Sequence, residues 1–171
     1  RHTRLRTVTG VQTCALPIWA PDPPPYGSGR QWYGLQPIDW AALPAARQAL
    51  RARLEQLGSS VPLARSVLLG FSQGAAMAID VGGALPLAGI VGCSGYPHEG
   101  WQPQGPLPPV LLSHGRQDPV VPFAASEQLE RALSQAGTPV ELLPFNGGHG
   151  IDPELLPALA AFVQRCLAAA G

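Results

Sequence analysis

An α/β fold with a mostly parallel, doubly wound sheet is predicted by three features of the sequence. Short apolar runs recur at residues 66–71, 87–93, 110–114 and 140–145, each the length of one strand. Continuous apolar runs of this length are the pattern of strands covered on both faces. Helix-like stretches alternate with these runs, as parallel crossover connections require. At 171 residues, with no linker or internal repeat, the chain suits one domain.

The elements follow in order. Residues 20–37 hold Pro23-Pro24-Pro25, Gly27 and Gly29 and read as an extended loop. Asp39 can cap a helix reaching about residue 57, with Leu43, Leu50, Leu54 and Leu57 on one face and Gly58 as its stop. Pro44 is tolerable there only within the first turns. The run at 66–71 reads as a buried strand, followed by an alanine-rich helix over 74–81 that ends at Gly82-Gly83. After the strands at 87–93 and 110–114, a helix over 122–136 is stopped by Gly137. The strand at 140–145 leads to a closing helix over 153–169, capped by Asp152.

Composition narrows the function. Hydrophobic residues make up 46% and charged residues 13%, enough apolar material for a core. Formal net charge is zero, without the basic footprint of a nucleic-acid binder. All basic residues are arginines, so lysine Schiff-base chemistry, a phosphate-loop lysine and protein-kinase chemistry are excluded within this chain. No apolar run approaches the roughly 18 residues of a membrane span. Cys14, Cys93 and Cys166 form no metal or disulfide pattern; free, partly buried thiols and a cytoplasmic location are expected.

Residues 1–18 are expected to be non-biological. They lack methionine, acidic residues and periodicity, and residues 8–18 read as a direct translation of a short-read sequencing adapter, with residues 1–4 matching a further piece. On that reading the domain is residues 19–171, a partial domain carrying eight arginines against eleven acids, net charge −3. The first strands of the sheet are then expected upstream of Trp19. Their absence should leave the apolar faces of Leu68 and Ile90, or of their neighbours, poorly covered.

The strongest chemical signal is Gly70-Phe71-Ser72-Gln73-Gly74, a G-x-S-x-G sequence between an apolar strand and a small-residue helix. The glycines permit a tight strand–turn–helix bend that lifts Ser72 beyond the sheet, and the Gln73 N–H at the helix start can donate to an oxyanion. A serine nucleophile needs a base and an orienting acid, here expected after later strands with the acid first. Asp118 follows the third strand and His149 the fourth, at the edge where Ser72 also lies. Asp152 reads as a helix cap, and Asp80 lies inside a helix facing away. His114 reads as a structural histidine at a strand end, and His98 as a solvated loop residue rather than a substrate contact. Cys93 reads as a small buried hydrophobe. The histidines lack metal-ligand spacing, so neither metal nor cofactor is expected.

These motifs, with Ser113-His114-Gly115-Arg116-Gln117-Asp118-Pro119-Val120-Val121-Pro122 and Gly148-His149-Gly150-Ile151, resemble the phospholipase/carboxylesterase family of α/β-hydrolases. The similarity runs from about Ala20 to the end; Gly29-Arg30-Gln31-Trp32-Tyr33 resembles that family's segment near the acyl site. The resemblance implies an α/β-hydrolase fold and hydrolysis of small ester or thioester substrates through an acyl-enzyme. Ser72 would be the nucleophile, His149 the base, Asp118 its orienter and the Gln73 backbone N–H one oxyanion donor. The second donor would come from an early loop upstream of Trp19, so the chain as it stands is expected to be inactive. Trp32, Tyr33, Leu35, Tyr96 and Trp101 are candidate substrate-wall residues, equally readable as loop packing. Residues 94–109 are too short for a helical lid, which favours short or medium acyl chains. A noncatalytic module and a peptidase of related fold are the competing readings; a homodimer remains open.

Overall fold

The computed structural model describes residues 18, 20–23 and 30–170. Residues 1–17, Trp19, 24–29 and Gly171 lie outside the described residues, and with them Cys14 and nearly all of the adapter-like segment. Ile18, the last residue of that segment, is half-buried against the larger core.

Strands β1 (Val67–Phe71), β2 (Gly89–Cys93), β3 (Val110–Gly115) and β4 (Val140–Phe145) form one parallel sheet in the order β1-β2-β3-β4. Helices α1 (Leu43–Gly58), α2 (Gln73–Gly82), α3 (Ala124–Gln135) and α4 (Leu156–Ala169) alternate with them except between β2 and β3, where residues 94–109 form a crossover without a helix. A single 3-10 turn precedes α1 and another precedes α4. Asp39 and Asp152 cap these turns, accepting from Ala42 N–H and Glu154 N–H.

Strand side chains alternate between two cores. Leu68, Ile90, Val110, Leu112 and Leu142 face α1, α2 and α3, where Leu50, Leu54, Met77, Ile79, Leu129 and Leu133 meet them. Val67, Val91, Cys93, Leu111 and Leu143 face Leu159, Phe162 and Cys166 of α4. Both described cysteines are therefore buried free thiols, and burial pushes the Cys93 thiol up to about 11. Helix α2, small and apolar, buries eight of its ten residues between sheet and α1.

Two expectations about burial are corrected. The face carrying Leu68 and Ile90 is covered, Ile90 completely, because α1 and α2 lie over it. The opposite face is the bare one: Leu69 is 52% and Phe71 39% exposed. Strand β1 is accordingly half-exposed rather than buried; among the described residues it is an edge strand, and α4 covers that face only near Val67.

Candidate active site

Ser72 occupies the turn between β1 and α2 with φ 55° and ψ −122°, a conformation that costs a non-glycine residue on the order of 1–3 kcal/mol. Two features hold it there. Its N–H donates to the Cys93 carbonyl at the end of β2, at 2.8 Å. A side chain at Gly70 would place its Cβ 2.1 Å from the Gly74 carbonyl oxygen, so only glycine allows so tight a bend. The strain turns the serine hydroxyl away from the sheet and toward the loop after β4.

That loop presents His149. The Ser72 O–H is 2.9 Å from His149 Nε2, and His149 Nδ1 is 2.7 Å from Asp118 Oδ2. An ionised carboxylate can only accept, so Nδ1 carries the proton and Nε2 is left to accept from the serine. The sheet edge thus brings Ser72, Asp118 and His149, far apart in sequence, into one hydrogen-bonded series. Such a series can withdraw the serine proton as the oxygen attacks a carbonyl.

The loops carrying Asp118 and His149 are stitched together by backbone. Arg116 N–H donates to the Phe145 carbonyl and Gln117 N–H to that of Gly147. A Cβ on Gly115 would come within 2.3 Å of both the Gly147 and Gly148 carbonyl oxygens, so no side chain fits at this crossing. Asp118 Oδ1 accepts from Val120 N–H and Val121 N–H, at 2.8 and 2.9 Å. Burial acts to raise the Asp118 carboxyl, but the Val121 N–H, His149 and the Val120 N–H outweigh it and hold it below its ordinary value. Ser94, also at positive φ, donates from its hydroxyl to the Gly150 carbonyl at 3.1 Å and steadies the other side of the His149 loop. Phe71 packs at a tilt against the His149 ring, with centroids 4.9 Å apart. The open cleft around His149, of about 350 Å³, is lined by residues from Phe145 to Pro153.

Gln73 contributes more than its backbone. Its buried side chain accepts from Trp32 N–H at 2.8 Å and donates to the Tyr33 carbonyl at 2.9 Å, clamping the 30–33 segment to the turn that holds Ser72.

The candidate wall residues are dispersed. Trp32 and Tyr33 are buried in the core. The Tyr33 hydroxyl meets the Tyr96 hydroxyl at 2.7 Å and His98 Nε2 at 2.9 Å, and burial together with the Tyr96 contact drives its phenol well above the usual range. Leu35 is exposed and bridges to Ile38. Trp101 lines a separate cavity of about 270 Å³ with Pro97, Pro103 and the α3 residue Gln128.

His98 is corrected: it is 3% exposed, not solvated. Its Nδ1 donates to Asp80 Oδ2, which also pairs with Arg47, giving a series from Arg47 through Asp80, His98 and Tyr33 to Tyr96. The one signal for it in the sequence was Asp80 itself, a carboxylate within an otherwise apolar helix that has to find a partner. His114 is fully buried, as a structural histidine should be.

Residues 28–167 match the Phospholipase/Carboxylesterase family. Acyl-protein thioesterase 1 of Eremothecium gossypii is 30% identical over 149 residues, covering 81% of this chain and 63% of that protein. A probable carboxylesterase of rice (Oryza sativa subsp. japonica) is 28% identical over 124 residues, covering 67% of this chain and 47% of that protein. The chain therefore spans less than two thirds of either relative. Among solved structures, that of the esterase PE8 superposes with a TM-score of 0.71 at 32% identity, over 81% of this chain and 71% of that one. A parallel sheet with helices on both faces, a strained serine turn after β1 and a match over most of the sequence lead to one conclusion: this chain belongs to the phospholipase/carboxylesterase family of α/β-hydrolases.

Proposed function

We propose that the protein hydrolyses carboxylic esters or thioesters of short to medium acyl chains through an acyl-enzyme on Ser72. The observation that carries this reading is the hydrogen-bonded series Ser72–His149–Asp118, with Ser72 at positive φ. As Ser72 Oγ attacks the acyl carbon, its proton passes to His149 Nε2. Asp118 stabilises the imidazolium through Nδ1–H. The oxyanion is met by the Gln73 backbone N–H at the start of α2, where the helix leaves its first donors unpaired. The imidazolium then protonates the leaving alcohol or thiol. Water, activated by the same histidine, releases the acid and restores the serine.

The test is stoichiometric labelling by an organophosphonate, with the mass increment mapped to Ser72 in the full-length protein and absent from Ser72→Ala. An unlabelled protein would favour a noncatalytic module. Turnover of p-nitrophenyl butyrate with a higher kcat/KM than palmitate is expected, and the reverse order would refute the chain-length assignment. The name of the Eremothecium relative favours a thioester leaving group as a second reading. Parallel assay of an S-acyl peptide and its O-acyl counterpart separates the two.

A further inference from the structure

A second imidazole lies beside the acid of the proposed site. His114 Nε2 is 2.9 Å from the Val121 carbonyl oxygen and 3.2 Å from Asp118 Oδ2, the same oxygen that faces His149. Both neighbours are acceptors, so Nε2 must carry a proton. Nδ1 faces the hydroxyl of Ser126 in the first turn of α3, at 2.5 Å. In the neutral ring Nδ1 accepts from that hydroxyl. The ring is completely buried and nearly perpendicular to the Phe123 ring, over which the Arg116 guanidinium lies. The Val121 residue that accepts from His114 also donates its own N–H to Asp118 Oδ1.

We propose that His114 is a positioning residue of the hydrolytic site, fixing the Asp118 carboxylate for His149. Its Nε2–H pins the 118–121 turn through the Val121 carbonyl and lies beside the same Oδ2 that pairs with His149. The acceptors at Nε2 set this tautomer, and Ser126, paired with Nδ1, holds the ring in the orientation that aims Nε2–H at them. The carboxylate is thereby held between two imidazoles, only one of which faces Ser72. This inference rests on the hydrolase reading above and adds to it a residue that touches neither substrate nor nucleophile.

The experiment compares His114→Leu, His114→Gln and Ser126→Ala in the full-length protein, each made both alone and together with Asp118→Ala. Turnover is expressed per organophosphonate-reactive site, so that a loss of folded protein does not count as a loss of rate. His114→Leu should lower kcat about 10- to 100-fold with KM unchanged, by analogy with the partners that orient metal-ligating side chains from behind. His114→Gln keeps an N–H able to reach the Val121 carbonyl and should recover most of the rate. In the Asp118→Ala background neither change should cost more than about twofold, because residues acting through one another are non-additive. A His114→Leu loss of the same factor with and without Asp118 would overturn the proposal. So would a loss confined to the number of reactive sites. If His114→Leu yields no folded protein, Ser126→Ala decides: a several-fold kcat loss that vanishes without Asp118 supports the role, and an unchanged kcat refutes it. Failure of the wild-type protein to label would instead remove the hydrolase reading itself.

Discussion

Replacing Gln73 by alanine should destabilise the protein far more than the loss of one amide from a helix start suggests. The side chain satisfies two buried backbone groups, the Trp32 N–H and the Tyr33 carbonyl, 41 and 40 residues earlier in the chain. With alanine, both lose their partner. Each buried backbone group left unpaired costs about 1–3 kcal/mol, so the two together give about 2–6 kcal/mol. That is a large share of the roughly 5–15 kcal/mol that holds a domain of this kind together. Gln73→Glu should be worse than the loss of one bond, since it keeps the acceptor for Trp32 but sets a carboxylate against the Tyr33 carbonyl. The assay is urea unfolding at neutral pH, with native-state hydrogen exchange of the Trp32 amide as a local reporter. A destabilisation under about 1 kcal/mol, or a Trp32 amide as protected in Gln73→Ala as in the parent, would refute the clamp.

In the full-length protein, Ser72→Ala and His149→Ala should each lower turnover by about 10⁴-fold or more, and the double variant should be scarcely worse than either single one, which steady-state kinetics on p-nitrophenyl butyrate will show. Asp118→Asn should also be slow, because an amide donor beside Nδ1 favours the wrong imidazole tautomer; an unaffected variant would move the acid role elsewhere. Ser113→Ala should be neutral or stabilising by up to about 1 kcal/mol in thermal unfolding. The Ser113 hydroxyl is the one buried side-chain polar atom among the described residues with no hydrogen-bond partner. The Asp118 carboxyl, held below its ordinary value in the folded protein, contributes stability that is complete above about pH 4 and is lost as pH falls through the lower folded value. Urea midpoints of the parent should therefore drop more steeply below pH 4 than those of Asp118→Asn, and parallel curves would contradict this.

The strands were legible because their signals are local. A strand over 140–145 and a serine turn at 70–74 follow from apolar runs and glycines that the structure returns within a residue or two. The coming together of Ser72, Asp118 and His149 was legible for a different reason: loops after parallel strands all emerge at one sheet edge. What escaped was contact between loops. Nothing near Tyr33 announces that its hydroxyl meets His98, 65 residues on, nor that Gln73 reaches back to Trp32. Aromatic residues close to a predicted site read equally well as wall or as core, and Tyr33 and Trp32 proved to be core. Coverage was illegible too. Leu69 sits in the same kind of apolar run as Leu111, yet one is half in solvent and the other fully enclosed, because coverage depends on what packs across a face and not on the strand itself.

The two layers that flank the sheet differ in depth. Helix α2 buries eight residues, whereas α4 buries only Leu159, Phe162 and Cys166. Segments with few buried contacts open at low free energy without the rest of the molecule following. Ser72 stands at the head of the deep layer, while His149 stands on the loop that feeds the shallow one. The proposed nucleophile and base are thus anchored to parts of the protein with different opening energies. Mild denaturant or warming should release the carboxyl-terminal layer first, so that function is silenced by a sub-global opening while the sheet, α1 and α2 still stand. Amides of α4 should exchange ahead of those of α2, and in the full-length protein the denaturant dependence of activity should run ahead of that of the far-ultraviolet signal by the difference between the two opening energies.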